Sequence, residues 1–247
     1  MNTLQIKLNY PPVVNYSMQQ NHAPVIRDVI ITNNGNVAFT DLDISLTFDP
    51  EFASEYKYTI NSIRPQSEDR TSVVPIIMST DFLANQTERV AGSIKVTVSS
   101  KGELLAEERF DISVLAFNEW AGSGIIPEML AAFSTPNHPE VNLIIKRASE
   151  ILGRWTGDPS FNAYQSGDNN RVKQQMGAIY EAIREKGITY CVAPASFEER
   201  GQRIRTVDEI TTLGVGNCLD MSMMYVSCLE AVGLKPHQLI LIFCYNS

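Results

Sequence analysis

The sequence is poor in the residues that most often carry chemistry. Among 247 residues there are three histidines, two tryptophans and four cysteines. The cysteines stand at 191, 218, 228 and 244, with no Cys-x-x-Cys pair and no regular spacing, so they build neither a disulfide scaffold nor a zinc ribbon. No His/Cys cluster has metal-ligand spacing, and neither a metal nor another cofactor is expected. No Gly-Lys-Ser/Thr phosphate loop occurs, which excludes ATP hydrolysis from this segment. Gly214 and Gly216 open a Gly-x-Gly, but Leu219 stands where a dinucleotide-binding loop needs its third glycine. No stretch approaches the roughly 18 apolar residues of a membrane span, and the longest apolar run is residues 239–244. Met1-Asn2-Thr3-Leu4-Gln5 lacks the basic-then-apolar pattern of a secretory signal. Together with the unpatterned cysteines, this points to reduced thiols in a cytoplasmic protein. Positive charge is also in deficit, with 20 Lys and Arg against 28 Asp and Glu and a net charge of -8. An acidic surface repels phosphate, so direct binding of nucleic acid is not expected.

What is present is apolar patterning of two kinds. With 44% hydrophobic and 19% charged residues the chain can fill one large core or two ordinary ones. The first part alternates with period two. Leu4-Gln5-Ile6-Lys7-Leu8, Leu42 to Phe48 and Ile94-Lys95-Val96-Thr97-Val98 each put apolar residues on one face only. Val25 to Ile31 reads as a further strand, stopped by the turn-forming run Thr32-Asn33-Asn34-Gly35-Asn36. Lys101-Gly102-Glu103 reads as a hairpin turn returning through Leu104 to Leu115. Seven or so short strands with one wet face each predict two packed antiparallel sheets, an immunoglobulin-like sandwich over residues 1–116. A jelly roll fits the same pattern.

Near Phe117-Asn118-Glu119-Trp120 the period becomes helical. After Pro139, apolar residues at Val141, Ile144, Ile145, Ala148, Ile151, Leu152 and Trp155 form one stripe. A second helix is expected over roughly 170–186, with Val172, Met176, Ile179, Tyr180 and Ile183 on one face and Gly187 ending it. A third should open at Cys218 and close by Gly233, before Pro236 and a buried strand, Leu239 to Phe243. The fold class expected is therefore α+β in two domains, 1–116 and 117–247.

The stretch Gly214-Val215-Gly216-Asn217-Cys218-Leu219-Asp220 carries the sharpest chemical signal. A cysteine in the first turn of a helix lies beside backbone N–H groups and the positive end of the helix dipole. That setting favours thiolate, the reactive form, and the same amides can hold an oxyanion. The bland alternative is a small core residue in a packed helix. Cys218 is the candidate nucleophile, and Gly216 and Asn217 are the neighbours of a candidate oxyanion site. Glu198, Arg203 and Arg205 are candidate ligand-binding residues, set against the preferred reading of a solvated charged loop. Asp220 is expected to stabilise the first turn, and Met221, Met223 and Met224 to fill the core. His22 and His138 read as surface residues and His237 as a loop residue before the last strand.

The order Gly-x-Gly-Asn-Cys-x-Asp, a helix through Tyr225, Val226 and Leu229, then Glu230-Ala231-Val232-Gly233-Leu234-Lys235-Pro236 and an apolar strand resembles the transglutaminase-like, papain-type cysteine domain. Ala193-Pro194-Ala195-Ser196-Phe197-Glu198, Gly201-Gln202-Arg203-Ile204-Arg205, Tyr164-Gln165-Ser166 and Phe117-Asn118-Glu119-Trp120 narrow the likeness. They resemble the N-terminal region of large bacterial proteins related to superfamily 1 helicases. The resemblance implies a histidine and an aspartate from strands beyond the cysteine helix. Here Leu239-Ile240-Leu241-Ile242-Phe243 leads into Cys244-Tyr245-Asn246-Ser247 and no histidine follows. The cysteine domain is accordingly expected to be incomplete at its C-terminal end and non-catalytic as it stands. It would serve as an accessory region that binds a protein or peptide partner, or the attached helicase region. The alternative is a cysteine peptidase or acyl transferase whose partners to Cys218 lie downstream. An apolar edge at Leu239 to Phe243 is expected to invite a homodimer.

Overall fold

The computed structural model of the chain describes residues 3–72, 74–192 and 201–237. It is a mixed α+β protein that separates into two compact units, Met1–Glu119 and Trp120–Ser247.

The first unit holds two sheets. β1 (Leu4–Asn9), β3 (Asp28–Asn33) and β6 (Ser67–Ser72) form one, in the order β1-β3-β6 and antiparallel throughout. The other contains β2 (Val13–Val14), β8 (Glu103–Val114), β7 (Val90–Ser100), β4 (Phe39–Asp49) and β5 (Tyr56–Ile63), in that order. Period-two alternation places Leu42, Ile44 and Leu46 of β4 and Ile94, Val96 and Val98 of β7 in the core, all essentially inaccessible to water. Each such side chain contributes about 1.5–3 kcal/mol relative to exposure. Leu4 and Ile6 of β1, with Val29 and Ile31 of β3, supply the apolar side of the smaller sheet. Lys101 and Gly102, both at positive φ (52° and 83°), make the two-residue turn that returns β7 into β8. Two helical turns, α1 (Tyr16–Gln20) and α2 (Thr80–Ala84), complete the unit.

Wholly antiparallel sheets were the expectation, and one pair departs from it. β2 runs parallel to β8, Val13 beside Ser113 and Val14 beside Val114. Pro11 and Pro12 explain the departure. They cannot donate to a ladder, so the chain leaves β1, crosses to the other sheet and joins its edge in the opposite sense. The strand expected from Val25 begins only at Asp28.

The unit ends on a buried carboxylate. Glu119 pairs with Arg89, and its other oxygen accepts from the Ala116 N–H at 3.2 Å. The Glu119 carbonyl accepts from Asn15 Nδ2 at 2.7 Å. Glu119 and Trp120 form the short strand β9.

In the second unit a 3₁₀ segment (Pro127–Phe133) precedes α3 (Pro139–Thr156) and α4 (Asn169–Arg184). Then follow β10 (Thr189–Tyr190), β11 (Gln202–Arg203), α5 (Val207–Leu213), β12 (Val215–Gly216) and α6 (Cys218–Ala231). His138 caps α3, its Nδ1 accepting from the Glu140 N–H at 3.2 Å, and Gly157 ends it at φ 78°. Val141, Ile144, Ala148, Ile151 and Leu152 bury one face of α3 against Ala178, Ile179, Ala182 and Ile183 of α4 and Met224 and Cys228 of α6.

Two sequence expectations are corrected here. Trp155, assigned to the buried stripe of α3, is 54% exposed and lays its ring over Gly177 of α4, within ordinary contact of where a Cβ on that glycine would stand. Met176 and Tyr180, assigned to the inner face of α4, are exposed, and Tyr180 meets Tyr225 edge to face. The inner face is taken instead by Arg171 and Gln175 beside Ala178, Ile179, Ala182 and Ile183. Arg171 donates to Thr156 Oγ1, Asp158 and the Ser160 carbonyl, while Gln175 accepts from the N–H groups of Asn162 and Ala163. The α3–α4 connection needs these partners for its backbone, so two polar side chains displace the apolar ones and rotate the helix.

Candidate functional site

Residues 214–220 assemble by local rules. Gly214 closes α5 at φ 67°, the short β12 follows, and Asn217 in extended conformation caps α6. Asn217 Oδ1 accepts from the N–H groups of Leu219 (2.8 Å) and Asp220 (3.0 Å), while Asp220 Oδ2 accepts from the Asn217 N–H at 3.0 Å. Such a reciprocal capping box satisfies the orphan amides of a helix start. Cys218 is the first helical residue and is exposed.

Asp220 does more than steady the first turn. Fully buried, it also accepts from the Arg205 N–H at 2.9 Å and from Arg205 Nη1 at 2.7 Å. Its carboxylate holds the Arg205 guanidinium more firmly protonated than usual. The same Nη1 lies 3.6 Å from Cys191 Sγ. Cys191 is fixed from below: its N–H donates to the Gly216 carbonyl at 3.0 Å, continuing the parallel pairing of β10 with β12. Gly201, at φ 82°, admits no side chain, because the Trp120 carbonyl occupies the space a Cβ would need. That close approach sets the path of the chain into Arg203 and Arg205.

Tyr190, 62% exposed, stands beside the candidate nucleophile. The charge of Cys218, then partial desolvation, then a hydrogen bond to the Cys218 sulfur raise the pKa of its phenol above the ordinary value. Cys228, deep under α6, is the opposite case, with burial pushing its thiol up to about 12.

Of the sequence candidates, the structure thus gathers Cys218, Asn217, Gly216 and Arg205 around one helix start. Arg203 is exposed on β11, and Glu198 lies outside the described residues. The sequence reading missed Tyr190 and Cys191. The only available signal was the pair of strand-forming residues Thr189-Tyr190 just after the helix-stopping Gly187. Asp220 was read as a helix stabiliser, and its hold on Arg205 was not foreseen. The strand Leu239 to Phe243 and any dimer through it also lie outside the described residues.

The arrangement offers a thiol, a phenol and an ion pair. It does not offer an imidazole from the second unit. His138 is committed to the cap of α3, with Nε2 3.4 Å from Asp208 Oδ1. His237 lines a hollow of about 430 Å³ with Val226 and Glu230. Those residues stand eight and twelve positions along α6 from Cys218, about 12–18 Å at the helical rise. The amides of Leu219 and Asp220, natural oxyanion donors, are already occupied by Asn217. Among the described residues no group of His, Cys, Asp and Glu is placed to hold a metal, and no helix is long and apolar enough to cross a membrane.

No protein-family model and no curated protein matches the chain. Among solved structures it is similar to the CARDB domain of a Pyrococcus furiosus protein, in solution and as a crystal structure in complex with di-metal ions. Both are 16% identical with a TM-score of 0.32, covering 46% and 45% of this chain and 94% and 87% of theirs. A family 76 glycoside hydrolase from a bovine Bacteroides thetaiotaomicron strain is 8% identical, with a TM-score of 0.23, covering 92% of this chain and 49% of its own.

Proposed function

We propose that this chain is a cytoplasmic accessory and interaction region: an immunoglobulin-like sandwich followed by a transglutaminase-like domain that binds a protein or peptide partner without turning it over. The observation that carries the reading is the company Cys218 keeps. Its sulfur meets the Tyr190 phenol, and neither histidine of the second unit faces it. Cysteine catalysis needs a base to take and return a proton, and a phenol at neutral pH already holds its own. The amides that would hold an oxyanion serve the helix cap. The resemblance over roughly residues 105–243, strongest from Pro194 to Leu241, supports attachment to a helicase-related protein. The three described cysteines are free thiols, in keeping with a reducing compartment. Activated esters and glutamine-containing peptides test the reading: the chain and its Cys218→Ala variant are expected to release product at the same rate. Turnover more than about tenfold above the variant would overturn it.

A second reading is favoured by one observation, the exposure of Cys218 at the first position of α6. In that reading Cys218 is a nucleophile whose histidine comes from outside these residues. Alkylation by iodoacetamide followed residue by residue probes it. Cys218, exposed, is expected to react at least about tenfold faster than Cys228 at mildly alkaline pH, because the buried thiol stays protonated. A Cys218 no faster than Cys228 would make it a packing residue and end the second reading.

A further inference from the structure

The larger sheet of the first unit leaves part of one edge without a partner. Ser113 and Leu115 donate their N–H groups to the carbonyls of Pro12 and Val14, and the Tyr10 hydroxyl donates to the Asp111 carbonyl. In an antiparallel strand alternate residues aim both backbone groups to the same side. From Ala106 to Val114, past the bulge at Leu105, the odd-numbered residues of β8 therefore face away from β7, and Glu107 and Arg109 belong to that set. No strand pairs with them among the described residues, because β2 covers only Ser113 and Val114. Across from this edge runs β1, which among the described residues pairs only with β3. The Thr3 carbonyl accepts from Asn34, so the odd-numbered residues of β1 face β3 and the backbone groups of Leu4 and Ile6 face outward. β1 comes close to β8 over part of its length, and beside that approach an open cleft of about 510 Å³ is lined by residues 3–6, Asn34 and residues 106–108.

We infer that this cleft is a strand-docking site for an extended, lysine- or arginine-bearing segment of a protein partner, laid on the β8 edge in line with β2. The inference rests on the reading of the chain as an interaction region, and gives that region its partner class. Strand addition takes affinity from backbone pairing and specificity from alternate side chains. Here each face of the added strand meets acid, Glu107 on one and Glu108 on the other. Glu107 is held only at 3.9 Å by Lys95, and Glu108 is exposed although it sits on the core-facing side of β8 and has no ion-pair partner among the described residues. Glu103 and Asp111 extend the charge along β8 against the single cation Arg109. The same charges disfavour a second copy, since β8 on β8 would set like charges opposite one another.

The test is residue-resolved amide hydrogen exchange on the whole chain with an acetylated octapeptide alternating lysine and valine, and with its glutamate counterpart. Saturating lysine peptide is expected to slow exchange at Glu107 and Arg109 at least about tenfold, and the glutamate peptide to leave both unchanged. In an E107K/E108K variant with an otherwise unaltered amide spectrum, the protection should disappear. Equal protection by both peptides, or none by either, overturns the site. So does protection that rises with protein concentration in the absence of peptide, which identifies a second copy as the occupant. Protection confined to the second unit also overturns the site yet leaves the interaction reading standing. That reading falls separately, on Cys218-dependent turnover.

Discussion

The two units pair most of their buried polar groups by different means, Trp120 Nε1 and the side-chain amide of Gln202 in the second unit being exceptions. In the first, backbone ladders do nearly all of it, and the buried polar side chains Asn15, Ser17, Asn33 and Glu119 sit at turns, at a short helix and at the exit of the unit. In the second, regular structure is interrupted by connections whose backbone needs partners, and buried side chains supply them: Arg171, Gln175, Asn217, Asp220 and Ser227. A ladder spreads its hydrogen bonds over many residues and survives the loss of one side chain. A side-chain hub concentrates them, so a single substitution strands several buried groups at once.

The largest break in that comparison should come at Asp220. Asp220→Ala leaves the Arg205 guanidinium, the Arg205 N–H and the Asn217 N–H without their acceptor. A loss of about 3 kcal/mol is expected. It should be confined to the second unit, with urea unfolding followed by exchange protection in each unit separately. Equal losses in both units would show that the hub is not local.

Alkali should separate the units by a smaller step. The Cys228 thiol is raised from 9.0 to about 12 by burial. Above its ordinary value the unfolded chain gives up a proton that the folded chain retains, so stability present below pH 9 is lost as pH rises toward 12. At about 1.4 kcal/mol per unit, the full loss is on the order of 4 kcal/mol. In the first unit the comparable group is Tyr58, raised by burial from 10.0 to about 12, so its loss starts later and is smaller. Thermal melts through this range should show the second unit falling first, and Cys228→Ala should flatten its slope. A slope unchanged by that substitution would assign the alkaline transition to other groups.

The smallest effect sharpens the view of the first unit. Gly102 holds φ 83° in the β7–β8 turn, with open space around it. Gly102→Ala should therefore cost only backbone strain, about 1 kcal/mol. It should lower the urea midpoint of the first unit alone.

These differences also explain what could be read in advance. Alternation in Leu42 to Phe48 and Ile94 to Val98 marked buried strands correctly, because a ladder leaves its side chains to report burial alone. The same logic misread α4. Met176 and Tyr180 fit a helical stripe, but no pattern shows that Arg171 and Gln175 are claimed by the chain eleven to fifteen residues earlier. Asn217 and Asp220 were legible as a helix start, since capping is a matter of neighbouring residues. Tyr190 and Cys191 were not, because a parallel pairing between residues 189–190 and 215–216 is a long-range choice that two-residue strands scarcely encode.

The proximity of the Tyr190 phenol to the Cys218 sulfur supplies an optical gauge of the candidate site. Phenol and phenolate differ in ultraviolet absorption, and the Tyr190 phenol is raised chiefly by the charge of the neighbouring sulfur. Capping that sulfur with a neutral group removes both the charge and the acceptor, so Tyr190 should ionise at lower pH afterwards. A spectrophotometric titration before and after alkylation, with Tyr190→Phe to assign the signal, would read the state of Cys218 in solution without any substrate.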